Sequence, residues 1–506
     1  MPTSEHREVE RTYEVPPGAV VPPLVGVAGI GSVAAPVGHR LTATYFDTPA
    51  LRLADRQITL RRRTGGEDAG WHVKLPANGD ARIELRQALG RHTHTVPRAV
   101  AELVRVHVRD EPLAPVATVR SHRTVHRLLD ADGAVLAEVC DDDVTAEALG
   151  ERGGMTRWRE WEVELVEGGP ALQDAVQQVL ATAGATVSTR PSKLLRALGF
   201  PAPRAQPRVR RRSPAGDAVT AALREQVHAL WSREPAVRAD EQDAGHQARV
   251  VVRKLRSLLA TYRPVLERSV TDPLREELRW FGGVLGAARD AEVSRTTCTE
   301  LLDGEPAGLL LGPVATRLTD TLDATHAQAK VAVVTELDGT RWFRLLDALD
   351  ELLANPPLTG AAADRADQVL PSCGAHDEKR LRRSVSALRD TSSAEERSAL
   401  LHEVRKAAKR LRYAAESAEG VCGRPARRTA RAAREVQKVL GTLQDAALTR
   451  RVLRDIAAAA DAAGEPTFTY GRLDARADAA TIDVEPRFTR AWDELHRSTS
   501  RRWLRG

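Results

Sequence analysis

The feature that most limits how this chain can fold is a pattern written twice in its second half, where a histidine opens a basic amphipathic stretch. The first copy carries His246, Arg249, Arg253, Lys254 and Arg256, and the second His402, Arg405, Lys406, Lys409, Arg410 and Arg412. In both, basic residues stand at offsets 3, 7, 8 and 10 from the histidine. At about 3.6 residues per turn, offsets 0, 3, 7 and 10 share an arc of about 80°, so each copy reads as a helix with one cationic face. The opposite stripe is apolar: Val251, Val252, Leu255, Leu258, Leu259 and Tyr262 in one, Val404, Ala407, Ala408, Leu411, Ala414 and Ala415 in the other. Such a stripe anchors a helix on a core. Stacked like charges repel along a helix, so a plain solvated surface explains these faces poorly.

Each basic helix is followed by a second matching signal, Leu285-Gly286 with Asp290 and Leu440-Gly441 with Asp445. The aspartates lie 44 and 43 positions after their histidines. Two helix pairs kept in step over a period of about 155 residues predict a duplicated helical unit rather than a short solenoid repeat. Facing one another, the cationic helices would line a groove for a polyanion. Asp290 and Asp445 read as orienters of nearby arginines, and His246 and His402 as phosphate donors near neutral pH. The pattern His-x-x-Arg, then basic residues at offsets 7, 8 and 10, then Leu-Gly-x-x-(Arg/Gln)-Asp, resembles the CHAD domain, the conserved-histidine α-helical domain, over roughly residues 213 to 506. The resemblance implies an all-α bundle with internal pseudo-symmetry that binds inorganic polyphosphate through the basic residues named above.

A chain of 506 residues has room for two or more domains. The balance of 75 basic against 69 acidic residues is modest, so the patterning of charge carries more weight than its sum. Prolines and unrelieved positive charge, including the run Arg204 to Arg212, mark residues 201–214 as a solvated linker. It divides a first domain, 4–200, from a helical one, 215–506, whose halves fall at about 217–355 and 380–506. The stretch Asn355 to Leu388 looks less regular and reads as a connector. Cys140, Cys298, Cys373 and Cys422 show no metal-like or disulfide spacing. Neither a membrane-spanning segment nor a signal-peptide core is seen, which gives the expectation of a soluble, cytoplasmic protein associated with polyphosphate granules. Few aromatics interrupt the basic faces, which argues against nucleic acid.

The first two hundred residues alternate with period two, as in Glu8-Val-Glu10, Ile58 to Arg63, Trp71 to Leu75 and Trp161 to Leu165, the signature of strands. Turn signals at Thr64-Gly65-Gly66, Asn78-Gly79 and Asp132-Gly133 join them as hairpins. Helical spacing returns only at Leu172 to Ala183. Glu8 and Glu10 project to one face, as do Glu160, Glu162 and Glu164. If the two strands lie close inside a closed sheet, these carboxylates offer oxygen ligands to Mg²⁺ or Mn²⁺. Arg61 and Arg63 on one strand face, with Lys74, Arg82 and Arg123 on other strands, supply the opposing charge. Carboxylates for metal plus cations for phosphate oxygens are what a triphosphate requires, and no covalent nucleophile is needed.

Glu8-x-Glu10, Tyr45-Phe46-Asp47-Thr48, Leu60-Arg61-Arg62-Arg63, Lys74, Arg82-x-Glu84, Arg123, Asp141, Glu162-x-Glu164 and Ser192-Lys193, in this order, resemble the CYTH domain of the triphosphate tunnel metalloenzymes. The superfamily includes adenylate cyclases, thiamine triphosphatases and inorganic triphosphatases. The resemblance covers roughly residues 4 to 200. It implies an antiparallel eight-stranded β-barrel whose lumen binds a triphosphate and a divalent metal, so the fold class is an α+β multidomain chain, barrel first and helical bundle second. It assigns Glu8, Glu10, Glu162 and Glu164 to catalysis and, with Asp141, to metal. Arg61, Arg63, Lys74, Arg82, Arg123 and Lys193 fall to the triphosphate. One departure stands out: the family's opening motif is Glu-x-Glu-x-Lys, and here its last position is Thr12. The reading is a polyphosphate-binding protein with metal-dependent triphosphatase activity. The alternative is a binding or targeting protein whose barrel only holds phosphate. No added adenine-recognition signal favours a cyclase.

Overall fold

The structure is a computed structural model that describes residues 4–76, 81–90, 95–150, 153–190, 192–201, 208–391, 393–497 and 502–505. The Asn78-Gly79 turn and Arg204 within the basic run lie outside the described residues. The chain divides into two compact units, Met1–Gln206 and Pro207–Gly506.

In the first unit the strands are β1 (Ser4–Glu14), β2 (Ser32–Val33), β3 (Val37–Asp47), β4 (Thr59–Thr64), β5 (Gly70–Pro76), β6 (Ala81–Ala88), β7 (Ala114–Leu129), β8 (Val135–Ala148), β9 (Gly154–Leu165) and β10 (Thr186–Val187). The order β1-β6-β5-β4-β3-β7-β8-β9 is antiparallel, and β9 returns to pair with β1. Eight strands therefore close into a barrel, with the short β2 and β10 added at β7 and β1. Closure removes the sheet edges and sends alternate side chains into the lumen. Among the described residues four helices accompany it: α1 (Arg52–Asp55), α2 (Arg98–Val108), α3 (Pro170–Thr182) and α4 (Lys193–Ala197). The helix α2 is one that the alternation-based reading passes over.

Outward-facing apolar residues of the strands bury against these helices. Val100, Val104 and Val108 of α2 cover Phe46, Leu60, Trp71 and Val73. Leu172, Val176 and Leu180 of α3 cover Tyr13, Val139, Trp161 and Val163. At one end of the barrel, Leu194 and Leu195 of α4 pack with Ala43, Tyr45, Val119, Val144 and Trp158 and close it with an apolar plug. Each such buried side chain is worth about 1.5–3 kcal/mol.

The second unit is helical: α5 (Ala215–Arg238), α6 (Ala244–Thr261), α7 (Arg268–Asp303), α8 (Val314–Leu337) and α9 (Thr340–Ala354). Then come α10 (Ala366–Arg389), α11 (Ala394–Ser417), α12 (Glu419–Cys422), α13 (Arg424–Ala462), α14 (Phe468–Ala479) and α15 (Val484–His496). In the first half α6 packs on α5 and α7, and in the second α11 packs on α10 and α13, so the two basic helices hold equivalent places. The halves meet through α6 with α11, α7 with α13 and α5 with α10. Reciprocal backbone bonds mark the internal symmetry: Ala215 N–H donates to Asp364 O at 2.8 Å, and Ala366 N–H to Ser213 O at 2.9 Å. The apolar stripes of both basic helices are buried.

One boundary differs from the sequence reading. The stretch taken as an irregular connector contains α10, the counterpart of α5, so the second half begins near Ala366 rather than near residue 380. Pro371 and Gly374 look like a break in sequence. Pro371 sits in the second turn of α10, and Gly374 lies where an added Cβ would come within 2.4 Å of the Trp503 ring. The glycine admits an indole rather than ending a helix. Among the described residues no helix is long and apolar enough to cross a membrane.

Candidate functional site

Strand register decides what enters the barrel. Across β8 and β9, Asp142 faces Glu160, Cys140 faces Glu162 and Glu138 faces Glu164. Across β1 and β9, Thr12 faces Glu162 and Glu10 faces Glu164. Facing residues share a side of the sheet, and this side lines a cavity of about 330 Å³.

Nearest the α4 plug, Asp142, Glu160 and Glu162 bring carboxylate oxygens within 4.8 Å of one another. Lys193, the first residue of α4, reaches them with Nζ at 3.0, 2.6 and 2.5 Å respectively. Arg123 donates to both oxygens of Asp142 at 2.9 and 2.6 Å and also reaches Glu162. Burial works against ionisation of Glu162, yet Lys193 and Arg123 outweigh it and hold the carboxyl well below the usual carboxylate range. Glu160 goes the other way, because burial and neighbouring Glu162 dominate.

Farther toward the opposite end stand Glu8, Glu10 and Glu164. Glu8 pairs with Lys74 at 2.5 Å and with Arg86 at 2.9 Å. Glu10 lies 3.4 Å from Lys74 and 3.8 Å from Arg82. Burial and the charge of Glu8 push the Glu164 carboxyl up to about 7. Two directly opposed carboxylates, Glu10 and Glu164, repel one another, and a divalent cation would relieve them. Both carboxylate sets are hard oxygen donors of the kind Mg²⁺ or Mn²⁺ takes. Arg61 approaches Glu84 at 3.5 Å, and Arg63 points inward two residues on. The Cys140 thiol is pushed up to about 12 by burial, so no thiolate competes for a cation there.

The structure therefore brings Glu8, Glu10, Glu162, Glu164, Arg61, Arg63, Lys74, Arg82, Arg123 and Lys193 into one lumen. Asp141 does not join them. Its parity on β8 puts it on the outer face opposite Trp161, where it accepts from Arg159 Nε at 2.8 Å. Asp142 holds the inward position. Sequence reading also passes over His72 and gives Glu84 no role beyond its place in the motif; His72 Nδ1 and Glu84 Oε1 lie 3.0 Å apart, fully buried. The alternation that marks Arg61 and Arg63 could have found both. Thr12 points inward, 5% exposed, and its Oγ1 has no hydrogen-bond partner among the described residues.

In the helical unit, Arg249, Arg253, Arg405 and Lys409 converge where α6 meets α11. Burial, followed by repulsion from Arg405, Arg253 and Arg249, pushes the Lys409 ammonium down to about 6. Asp290 accepts from Arg249 at 2.9 Å, as an orienter would. The Leu-Gly signal also gains a reason. A Cβ on Gly286 would meet the Arg249 guanidinium at 3.4 Å, and one on Gly441 that of Arg405 at 3.5 Å, so each arginine packs over the glycine of the following helix with room for a methyl but not for a larger side chain. Gln444, the counterpart of Arg289, bridges His402 and Arg405. His246 is held low by burial and then by Arg289.

The other basic-helix residues are engaged elsewhere. Lys254 pairs with Glu416 at 2.9 Å, and Arg412 with the same carboxylate at 2.7 Å. Arg410 ties Asp377 at 2.5 Å to the Ala260 carbonyl at 2.8 Å. Lys406 pairs with Glu403 on the exposed side. Arg256 lies near Arg275 and Arg279 of α7, which together with burial hold it low.

A closed barrel with a charge-lined lumen, followed by a duplicated helical bundle with a cationic centre, defines a two-domain protein. Residues 7–198 match the CYTH domain family and residues 221–454 the CHAD domain family. The chain belongs to the CYTH–CHAD two-domain proteins. Two uncharacterized proteins of Mycobacterium tuberculosis, from strains CDC 1551 and H37Rv, are each 40% identical over 488 residues, 93% of this chain and 92% of theirs. Among solved structures, PptA from Streptomyces chartreusis is 22% identical and covers 56% of this chain and 100% of its own, at a TM-score of 0.46. The CHAD domain from the plant Ricinus communis is 23% identical and covers 58% and 95%, at 0.45.

Proposed function

We propose that the barrel is a divalent-metal-dependent phosphohydrolase acting on triphosphate, and that the helical unit binds inorganic polyphosphate. The observation that carries this reading is the composition of the lumen: the carboxylate cluster Asp142, Glu160 and Glu162 and the lining carboxylates Glu8, Glu10 and Glu164, opposed by Arg61, Arg63, Lys74, Arg82, Arg123 and Lys193. Asp142, Glu160 and Glu162, together with Glu8, Glu10 and Glu164, would hold Mg²⁺ or Mn²⁺. Held by these carboxylates, a divalent cation would supply charge neutralisation of phosphate oxygens and activation of the attacking water. Guanidinium forks hold non-bridging oxygens bidentately, and Lys193 and Lys74 act as point charges. The cations are fixed by the carboxylates that surround them, so charge stabilisation needs little reorganisation. The closed wall and the α4 plug keep bulk water from the buried end.

A second reading, a barrel that holds phosphate without turnover, is favoured by Thr12, which leaves a buried position without the family's lysine. Phosphate release from tripolyphosphate by wild type, Glu8→Ala and Thr12→Lys separates the two. The hydrolase reading expects metal-dependent release by wild type, lost in Glu8→Ala. The binding reading expects release only after Thr12→Lys. For the helical unit, we infer that Arg249, Arg253, Arg405 and Lys409 form the centre of the polyphosphate site, because no carboxylate cancels their mutual repulsion in full.

A further inference from the structure

The loop that joins β4 to β5 brings two carboxylates to the end of the barrel opposite the α4 plug. Arg63, the last inward residue of β4, pairs there with Asp68, and Arg127 of β7, which donates to Glu138 at 2.9 Å, lies 3.5 Å from the exposed Glu67. Gly66, Glu67 and Asp68 all line the lumen. Both cations are oriented inward beside the proposed triphosphate site, and Arg63 is buried with its partner only one-third exposed. These contacts therefore put side-chain carboxylates where phosphate oxygens would bind.

Three features hold the loop in this place. Gly65 and Gly66 adopt φ of +81° and +73°, a left-handed backbone that other residues rarely accept. A Cβ on Gly65 would come within 2.0 Å of the Arg40 carbonyl oxygen. The Asp68 carbonyl lies 2.9 Å from His72 Nε2, while His72 Nδ1 faces Glu84, so the loop backbone is tied to a buried pair in the barrel wall.

We propose that Glu67 and Asp68 form a displaceable latch that sets the length of phosphate chain the barrel accepts. Asp68 occupies Arg63, with Glu67 beside Arg127, until a chain reaching from the buried cations Lys193 and Arg123 out to this end takes the place of Asp68. A short anion bound at the buried end does not displace them. A longer one competes for Arg63 and trades one anionic partner for another. The inference rests on the phosphate-binding reading of the lumen but not on turnover.

The test is direct binding, read by calorimetry on the full chain with Ca²⁺ present. Orthophosphate, pyrophosphate and tripolyphosphate are compared for wild type and the Glu67→Gln/Asp68→Asn double variant, which keeps the side-chain size and the loop backbone. To confine the reading to the barrel, all proteins carry Arg253→Glu and Lys409→Glu in the helical unit. The latch predicts roughly tenfold tighter tripolyphosphate binding in the double variant, as expected when a competitor leaving about one molecule in ten open is removed. Orthophosphate affinity should be unchanged. Equal or weaker tripolyphosphate binding would overturn the latch alone, and so would an equal gain for all three anions, which would show a general charge effect. Failure of every protein to bind any of the three overturns the phosphate site and the latch with it. Far-UV circular dichroism and melting confirm that the variants are folded.

Discussion

Replacing Asp142 and Asp141 separately by asparagine tests the register of the barrel, because the two neighbours differ in little besides the face they occupy. Asp142 is fully buried, accepts twice from Arg123 and lies 3.0 Å from Lys193. With Glu160 and Glu162 it sets three carboxylates against two cations, so the local surplus is one negative charge, and Asp142→Asn removes it. One asparagine oxygen still accepts, and the remaining carboxylates still face both cations. The stability cost should therefore be near that of one charge-assisted hydrogen bond, about 2 kcal/mol, rather than the ~3–5 kcal/mol of an abandoned buried charge. For a domain of this size that is a fall of about 4–8 °C in the melting of the barrel. The cation response should suffer more, because a ligand and the charge surplus are both lost. The Mg²⁺ or Mn²⁺ concentration for half-activation should rise by at least ~10–100-fold, the scale seen for losing even an outer partner of a metal ligand. Asp141→Asn breaks only the pair with Arg159, whose side chains are 17% and 27% exposed. That should cost about 0–1 kcal/mol and leave the metal response in place. Metal-activation curves for phosphate release, beside melting curves, decide the matter. Loss of metal response in Asp141→Asn with retention in Asp142→Asn would show that the register, and the site built on it, is wrong.

Other expectations follow from the same geometry. Lys409, held near 6 by burial and three arginines, is mostly neutral at pH 7.5, and a bound polyanion raises it, so polyphosphate binding should take up a proton. Calorimetry in two buffers of different ionisation enthalpy measures this, and affinity should fall as pH rises above about 6; absence of uptake refutes the assignment of Lys409 to the site. Glu164, raised to about 7, should lose its proton when a cation binds, so metal affinity should climb as pH rises through 7, a trend that Glu164→Gln abolishes. Gly286→Ala places a methyl at ordinary contact with Arg249 and should leave polyphosphate affinity within about twofold, whereas Gly286→Ile should displace the guanidinium and weaken binding roughly tenfold. Equal effects from the two substitutions would remove the packing explanation of the Leu-Gly signal.

Much of this was legible because it is periodic. The two-residue period places Glu8 with Glu10 and Arg61 with Arg63, and the helical period separates the basic from the apolar stripe of α6 and α11. What escaped is what periodicity does not encode. The run Asp141-Asp142-Asp143 offers three candidates with two parities, and only the pairing of Asp142 with Glu160 selects one. Stripes also predict direction but not partners. Lys254 and Arg410 sit in the basic pattern, yet Glu416 and Asp377 on neighbouring helices claim them. The helix α10 was hidden by Pro371 and Gly374, where a turn signal and a close-packing glycine look alike in sequence.

The central claim is that the lumen uses its paired carboxylates and opposed cations to hydrolyse triphosphate with a divalent metal. It is tested most directly by measuring orthophosphate and pyrophosphate released from tripolyphosphate, with and without Mg²⁺ or Mn²⁺. Metal-dependent release by the wild-type chain, lost in Glu10→Gln, is the expected result. No metal-dependent release by a folded wild-type chain that still binds polyphosphate would contradict it.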